Sequence, residues 1–271
     1  MPDARPGVAI RLHGLLRQLF GAVPDLRVLA WDGSQAGGPD QPVLRLNSRK
    51  AVRRLLWTPG ARGVAQAYVT GQIDVDGDFA HAVRILLDYL DTVSAAEPIG
   101  PGGRKEILRF AVVSGAVGPA SAPPAVALGG VDGYAPVDAE MADRLSAELA
   151  TRVVGDAGTA TGWLRSDGVP PTGQPDRIQR RFVAGPEPLS AALRRWEDER
   201  IDILEIRRID DAHNATLSDW TTGLERNWDQ VCGEVGLVQA RAWRLNLALN
   251  TEHLRRGTVK VYQVCGVCSP E

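Results

Sequence analysis

Cysteine and methionine are scarce in this chain of 271 residues, which has three of the first and two of the second. Three cysteines are too few for the disulfide framework of a small secreted domain. No cleavable leader is readable at the start, where Arg11 and His13 interrupt the apolar residues, so a reducing cytoplasm is expected. Long apolar runs are absent too. None approaches the ~18–20 residues of a membrane span, which leaves at most a peripheral association with a membrane. Charge of one sign is also lacking: 31 Lys and Arg against 33 Asp and Glu give a net charge of -2. Nucleic acid would call for a basic surplus or a clustered stripe, and neither is present.

What is present is ordinary for a globular chain: 44% hydrophobic and 24% charged residues, over a length that allows one large domain or two small ones. The 29 Gly and 18 Pro imply plentiful loops. Apolar residues at helical spacing predict a helix over 8–20. Strands are expected at Leu26–Trp31 and Val43–Leu46, on either side of a Gly/Pro-rich turn. Ser48 is placed to cap a helix carrying Val52, Leu55, Leu56 and Trp57, and Pro59 ends it. A further helix is expected from Gly63 to Val69 with Gly71 at its C′ position, and another from Phe79 to Val93. Residues 116–124, Ala-Val-Gly-Pro-Ala-Ser-Ala-Pro-Pro, read as a linker. A helix near Met141 to Val153 and a closing strand at Val259 to Val264 complete the pattern.

Four stretches carry residues with chemical potential, each with a plainer reading beside it. Gly71 to Phe79 alternates Asp74, Asp76 and Asp78 around Gly77 like a calcium loop, but Leu86 stands near the place of the closing glutamate. A turn whose aspartates cap the next helix fits as well. Val153 to Trp163 is either a remnant of a glycine-rich cofactor turn or a simple loop. Cys265-Gly-Val-Cys268 could be half a zinc site with Cys232 and His253, a redox pair, or ordinary thiols. No metal is expected.

The most chemically dense stretch is Asp210-Asp211-Ala-His213-Asn214-Ala-Thr-Leu-Ser-Asp-Trp220, preceded by a helix-like run. An imidazole near pKa 6.5 can act as a base at neutral pH, with Asp211 or Asp210 orienting its ring. The alternative is a helix start with Asn214 or Asp211 as N-cap and His213 beside the first turn. Further along, Arg241 and Arg244 flank Trp243 and could receive an anion; a solvated helix face is the other reading. The tryptophans are core or cleft wall, with one or two able to face an apolar ligand. His13 and His81 receive no role. Asn214-Ala-Thr216 fits a glycosylation acceptor by chance.

Trp31-Asp-Gly33, Leu55-Leu-Trp-Thr-Pro-Gly60, Ala67-Tyr-Val-Thr-Gly71 and Asp74-Val-Asp-Gly-Asp78 follow one another in an order and spacing that resemble the N-terminal domain of cyclopropane-fatty-acyl-phospholipid synthases, the actinobacterial type especially. The resemblance resumes at Ile178 to Pro186. It continues through Thr216 to Trp220, Leu224 to Trp228, Arg241 to Leu245 and Val261 to Val264. These enzymes move a methylene from S-adenosylmethionine to a lipid alkene and use bound bicarbonate to remove a proton. Their cofactor sits in a doubly wound domain between the two matching parts. Here residues 131–176 stand in that place, too few for such a sheet.

The resemblance therefore implies an α+β protein with a helical N-terminal domain and small β-sheet over 1–130. A short connector at 131–176 and a mostly helical part at 177–271 would follow, with no complete doubly wound methyltransferase sheet. The family's His-Tyr pair before the Thr-Leu motif falls on Ala212 and His213, or on His213 and Asn214 if one gap is allowed, so its tyrosine is lost either way. The expected chemistry is independent of S-adenosylmethionine, with no cofactor: elimination, isomerisation or ring closure on a small-molecule or acyl substrate. His213 would be the base with Asp211 beside it, and Trp220, Arg241, Trp243 and Phe182 would contact the substrate. The alternative is a non-catalytic partner or lipid-binding subunit of a companion enzyme, or a homodimer. Residual methyltransferase activity is a third expectation, ranked below these.

Overall fold

The computed structural model describes residues 6–94, 99–122, 157–165, 187–198, 201–258 and 260–268. It divides into two units, Met1–Pro124 and Ala125–Glu271. The expected Met141–Val153 helix and Phe182 lie outside the described residues.

The first unit opens with α1 (Val8–Phe20). Its first N–H groups are satisfied from a distant turn: Asp32 Oδ2 accepts from the Val8 amide at 2.8 Å and Ser34 Oγ from the Ala9 amide at 2.9 Å. Burial pushes the Asp32 carboxyl up, but hydrogen bonds from Ser34 and Val8 outweigh it and leave the group below the usual range. The Trp31-Asp-Gly33 motif thus works as a cap delivered across the fold. That turn joins β1 (Arg27–Ala30) to β2 (Gln35–Ala36). With β3 (Val43–Leu46) and β4 (Ile73–Asp76) they form a sheet in the order β2-β1-β3-β4, with β1 and β3 parallel and the other pairs antiparallel. Alternation places Val28, Ala30, Leu44, Leu46 and Ile73 in the core.

Between β3 and β4 run α2 (Arg49–Trp57) and α3 (Ala61–Val69). Ser48 is the N-cap residue of α2, without a side-chain capping bond. The helices meet so closely that a Cβ on Gly63 would lie 1.8 Å from the Thr58 carbonyl oxygen. Gly71, at φ 69°, ends α3 in a Schellman turn, donating to Tyr68 O while Gln72 donates to Ala67 O. The acidic stretch that follows is mostly strand. Asp76 pairs with Arg45 across to β3, and Asp78 caps α4 (Phe79–Ser94) by accepting from the His81 amide at 2.9 Å. Asp76 and Asp78 are thus engaged in pairing and capping, and Asp74 accepts from the Val75 amide at 3.0 Å.

After α5 (Pro101–Val113), the stretch expected to be a free linker is docked as far as it is described. Along α2, Arg53 Nε donates to Ala116 O at 3.3 Å, Trp57 Nε1 to Gly118 O at 3.0 Å and Arg54 Nη2 to Ala122 O at 3.0 Å. Arg54 is buried and also donates to Gln72 and Gln66, so burial lowers its pKa while neutral acceptors satisfy its fork.

The second unit contains β5 (Ala157–Arg165), β6 (Glu187–Pro188), α6 (Leu189–Asp198), β7 (Ile201–Arg208), α7 (Asp210–Arg226), α8 (Trp228–Val235), α9 (Leu237–Arg255) and β8 (Lys260–Cys268). Its sheet runs β6-β5-β8-β7, with β8 antiparallel to both neighbours and β5 parallel to β6. From 177 on the described residues are mostly helical, as expected, and the closing strand is joined there by β6 and β7. The helix-like run before Asp210 is β7, and the glycine-rich stretch at 157–163 is strand. The closing strand runs on to Cys268, so the CxxC spacing lies within continuous β structure. The chain is α+β, and among the described residues no complete doubly wound sheet is present.

Candidate functional site

The stretch around His213 is a helix, and it begins earlier than the sequence suggests. Ile209 is the N-cap residue, so neither Asp211 nor Asn214 caps. The start is pinned to β8: Ile209 N donates to Val261 O at 2.9 Å, and Asp210 Oδ1 accepts from Val261 N at 2.8 Å. The other Asp210 oxygen pairs with Arg208. Both carboxylate oxygens are therefore engaged in joining α7 to the sheet.

His213 follows one turn later and is 9% exposed. Its ring meets Trp220 edge-on at a centroid distance of 6.5 Å. Burial pushes its pKa down to about 4, against a smaller upward pull from Asp210. At neutral pH the imidazole is uncharged, and its low basicity weakens it as a proton acceptor. Asp211 is exposed, two residues away, and residues at that spacing on a helix do not face each other. Asp210, three residues back, is the carboxylate His213 senses.

Two of the other proposed contacts, Trp220 and Trp243, pack against a hydrophobic core. Leu217, Leu224 and Leu247 form its buried centre, with Trp220, Trp228, Val231, Trp243 and Leu254 against it. Trp220 and Trp243 are thus brought together with His213's helix as interior packing between α7, α8 and α9. Arg241 is buried on α9 rather than on a solvated face. Arg244 is committed to its neighbours. It makes a two-pronged bond to Glu225, at 2.5 and 3.0 Å, and lies over the Trp228 ring at 5.3 Å. Sequence reasoning passed over the end of α9, where buried Glu252 accepts from both Arg255 and Arg256. Burial pushes that carboxyl up, but the two guanidiniums prevail and hold it below the ordinary range. Beside it, His253 Nδ1 lies 2.9 Å from Thr258 Oγ1 in the Schellman turn that closes the helix. An i, i+3, i+4 arrangement of Glu and Arg is the sequence signal for such a cluster. Among the described residues, no group of three or more His, Cys, Asp and Glu could hold a metal ion.

What these features define is an α+β chain whose second unit packs three helices beside a mixed sheet and buries a histidine in their tryptophan-rich core. No family model and no curated protein matches the chain. Among solved structures it is similar to the mycolic acid cyclopropane synthase CmaA1 complexed with SAH and CTAB, at 17% identity and TM-score 0.34 over 47% of this chain and 50% of that one. The apo form of the same synthase gives 16% identity and TM-score 0.31 over 47% of this chain and 53% of that one. A structure assigned as a sarcosine dimethylglycine methyltransferase from Galdieria sulphuraria gives 12% identity and TM-score 0.35, over 83% and 86%. The chain spans about half the length of the cyclopropane synthases it matches. No described helix is long and apolar enough to cross a membrane.

Proposed function

We propose that this chain is a cyclopropane-synthase-like protein of the cytoplasm that acts as a non-catalytic partner subunit of another enzyme. The observation that carries this reading is the state of His213: buried, uncharged, with a pKa of about 4, and set against Trp220. Trp220 and Trp243, two of the side chains expected to contact a substrate, pack against the hydrophobic core of Leu217, Leu224 and Leu247. Such a core stabilises the unit and leaves its exterior available for association. Native mass spectrometry of the purified chain, alone and then with an intact synthase from the same source, tests the proposal. A chain that carries no small molecule and gains mass as a stoichiometric complex supports it.

A second reading keeps His213 as the base of an S-adenosylmethionine-independent elimination or ring closure on a small or acyl substrate. It is favoured by one feature: the imidazole is in its unprotonated form at neutral pH, with Asp210 as the nearby carboxylate. A small molecule that co-purifies with the chain and is turned over by the wild type but not by His213→Gln would establish this reading and end the first.

A further inference from the structure

β7 is an edge of the second unit's sheet. It pairs with β8 on one side, and no described strand lies on the other. Every residue from Leu204 to Arg208 is exposed. Two of them are large and apolar, Leu204 at 63% and Ile206 at 43%. The outward amides and carbonyls of an edge strand attract another strand, so edges are commonly shielded by lysine, proline or a covering element. Along 204–208 the only charges are Glu205, Arg207 and Arg208, and the first two are of opposite sign.

The ladder to β8 fixes which backbone groups face outward. Ile209 N donates to Val261 O at 2.9 Å, and the register before it matches Arg208 to Tyr262, Arg207 to Gln263, Ile206 to Val264 and Glu205 to Cys265. In an antiparallel pair, the residues that bond the neighbouring strand alternate along the chain. Ile209, Arg207 and Glu205 therefore direct their N–H and C=O groups toward β8. Those of Ile206 and Arg208 point to the open edge.

We infer that this edge is an interface between two copies of the chain, joined antiparallel through β7 into one sheet about a two-fold axis at Ile206. Charge selects the axis. Outward-facing residues must lie opposite one another, which leaves three centres along this stretch. Centred on Glu205, the two glutamates face each other; centred on Arg207, the two arginines do. Like charges directly opposite destabilise a strand pair. Centred on Ile206, each Glu205 lies opposite Arg207 of the second copy, and symmetry makes that contact twice. These are non-hydrogen-bonded positions, where Cα atoms are only ~4.5 Å apart and side chains meet closely. Glu205 and Arg207 already share one face of β7, where they pair within the strand at 2.8 Å. In the same register the two Ile206 residues exchange both backbone bonds and cover each other's side chains, while Leu204 comes beside the aliphatic stem of Arg208. The inference rests on the second unit alone and holds whether the chain is catalytic or a partner subunit.

Sedimentation velocity of the full chain over a range of concentrations tests it, with circular dichroism and melting temperature recorded for each variant. A reversible dimer is expected for the wild type. Glu205→Arg and Arg207→Glu should each weaken it roughly 25-fold, because each disrupts two cross-strand pairs worth roughly fivefold apiece. Both changes are at exposed side chains, so the fold of the monomer should be unaffected. The two together restore opposite charges across the axis and should return dimerisation to near the wild-type constant. Ile206→Pro deletes the amide aimed at the second copy without touching a bond to β8, and should abolish the dimer with the fold retained. A chain that stays monomeric up to its solubility limit overturns the proposal. A dimer that the single reversals leave unchanged, or that the double reversal fails to restore, also overturns it and places the contact elsewhere.

Discussion

Protonating His213 should loosen the core of the second unit, and the size of the effect follows from its burial. The folded pKa is about 4, against an ordinary value of 6.5. A gap of about 2.5 pH units corresponds to ~3 kcal/mol. Between those values the unfolded chain binds the proton and the folded chain does not. Stability contributed by the neutral ring is therefore complete above pH ~6.5 and lost as pH falls toward ~4. Glu252, whose carboxyl is held low by Arg255 and Arg256, also loses its contribution on acidification. A single pH series would mix the two. The informative quantity is the difference between the wild type and His213→Gln, followed by urea unfolding from about pH 7.5 to about pH 4.5. The wild type should lose ~2.5 kcal/mol more than the variant across that range, which stops just short of the folded pKa. Parallel curves, or an NMR titration of the His213 ring with its midpoint near 6.5, would refute the reasoning and return the ring to a solvated setting.

Other substitutions probe separate parts of the fold. Gly63→Ala forces a Cβ to within 1.8 Å of the Thr58 carbonyl, and should cost about 3 kcal/mol of first-unit stability by thermal or urea unfolding. Arg54→Met removes donors to Gln66, Gln72 and Ala122 O. Hydrogen exchange should then speed up in residues 116–122, with a loss of about 2 kcal/mol in unfolding free energy. Leu217→Ala, at a side chain 1% exposed in the tryptophan-rich core, should cost about 3 kcal/mol in the second unit and leave amide exchange in the first unit unchanged.

The first unit was the more legible in sequence, and the reason is regularity. Its helices carry apolar residues at unbroken helical spacing, its strands alternate strictly, and Gly71 stands at the one position where a Schellman turn requires positive φ. The docked turn at 115–122 was illegible because what holds it are backbone carbonyls, which leave no trace in residue type. In the second unit the alternation of β7 is broken: the pairing register shifts between Ile203 and Glu205, leaving Leu204 as a bulge. That shift lets Ile203 and Ile206 occupy one face although they are three apart, a spacing that reads as helix. β5 opens with Ala, Gly and Thr over residues 157–162, and so resembles a loop. At the candidate site, the acidic neighbours of His213 suggested a polar setting. Yet His213, Leu217, Trp220 and Leu224 recur at helical spacing, and that stripe already assigned the imidazole to the buried face.

The placement of β8 bears on how the second unit comes to be folded. This strand is the last of the unit in sequence order, yet it lies between β5 and β7 and pairs with both. Until it leaves the ribosome, β5 and β7 have no common partner, and the start of α7 lacks the Val261 amide that engages Asp210. The sheet therefore closes after synthesis of the whole unit, through contacts between β5 and β8 about a hundred residues apart, the kind of non-local pairing that makes folding slow. During that interval its strand edges are open to aggregation. Expression at low temperature, or with chaperones that protect unpaired strands, should raise the soluble yield more than any change to the first unit.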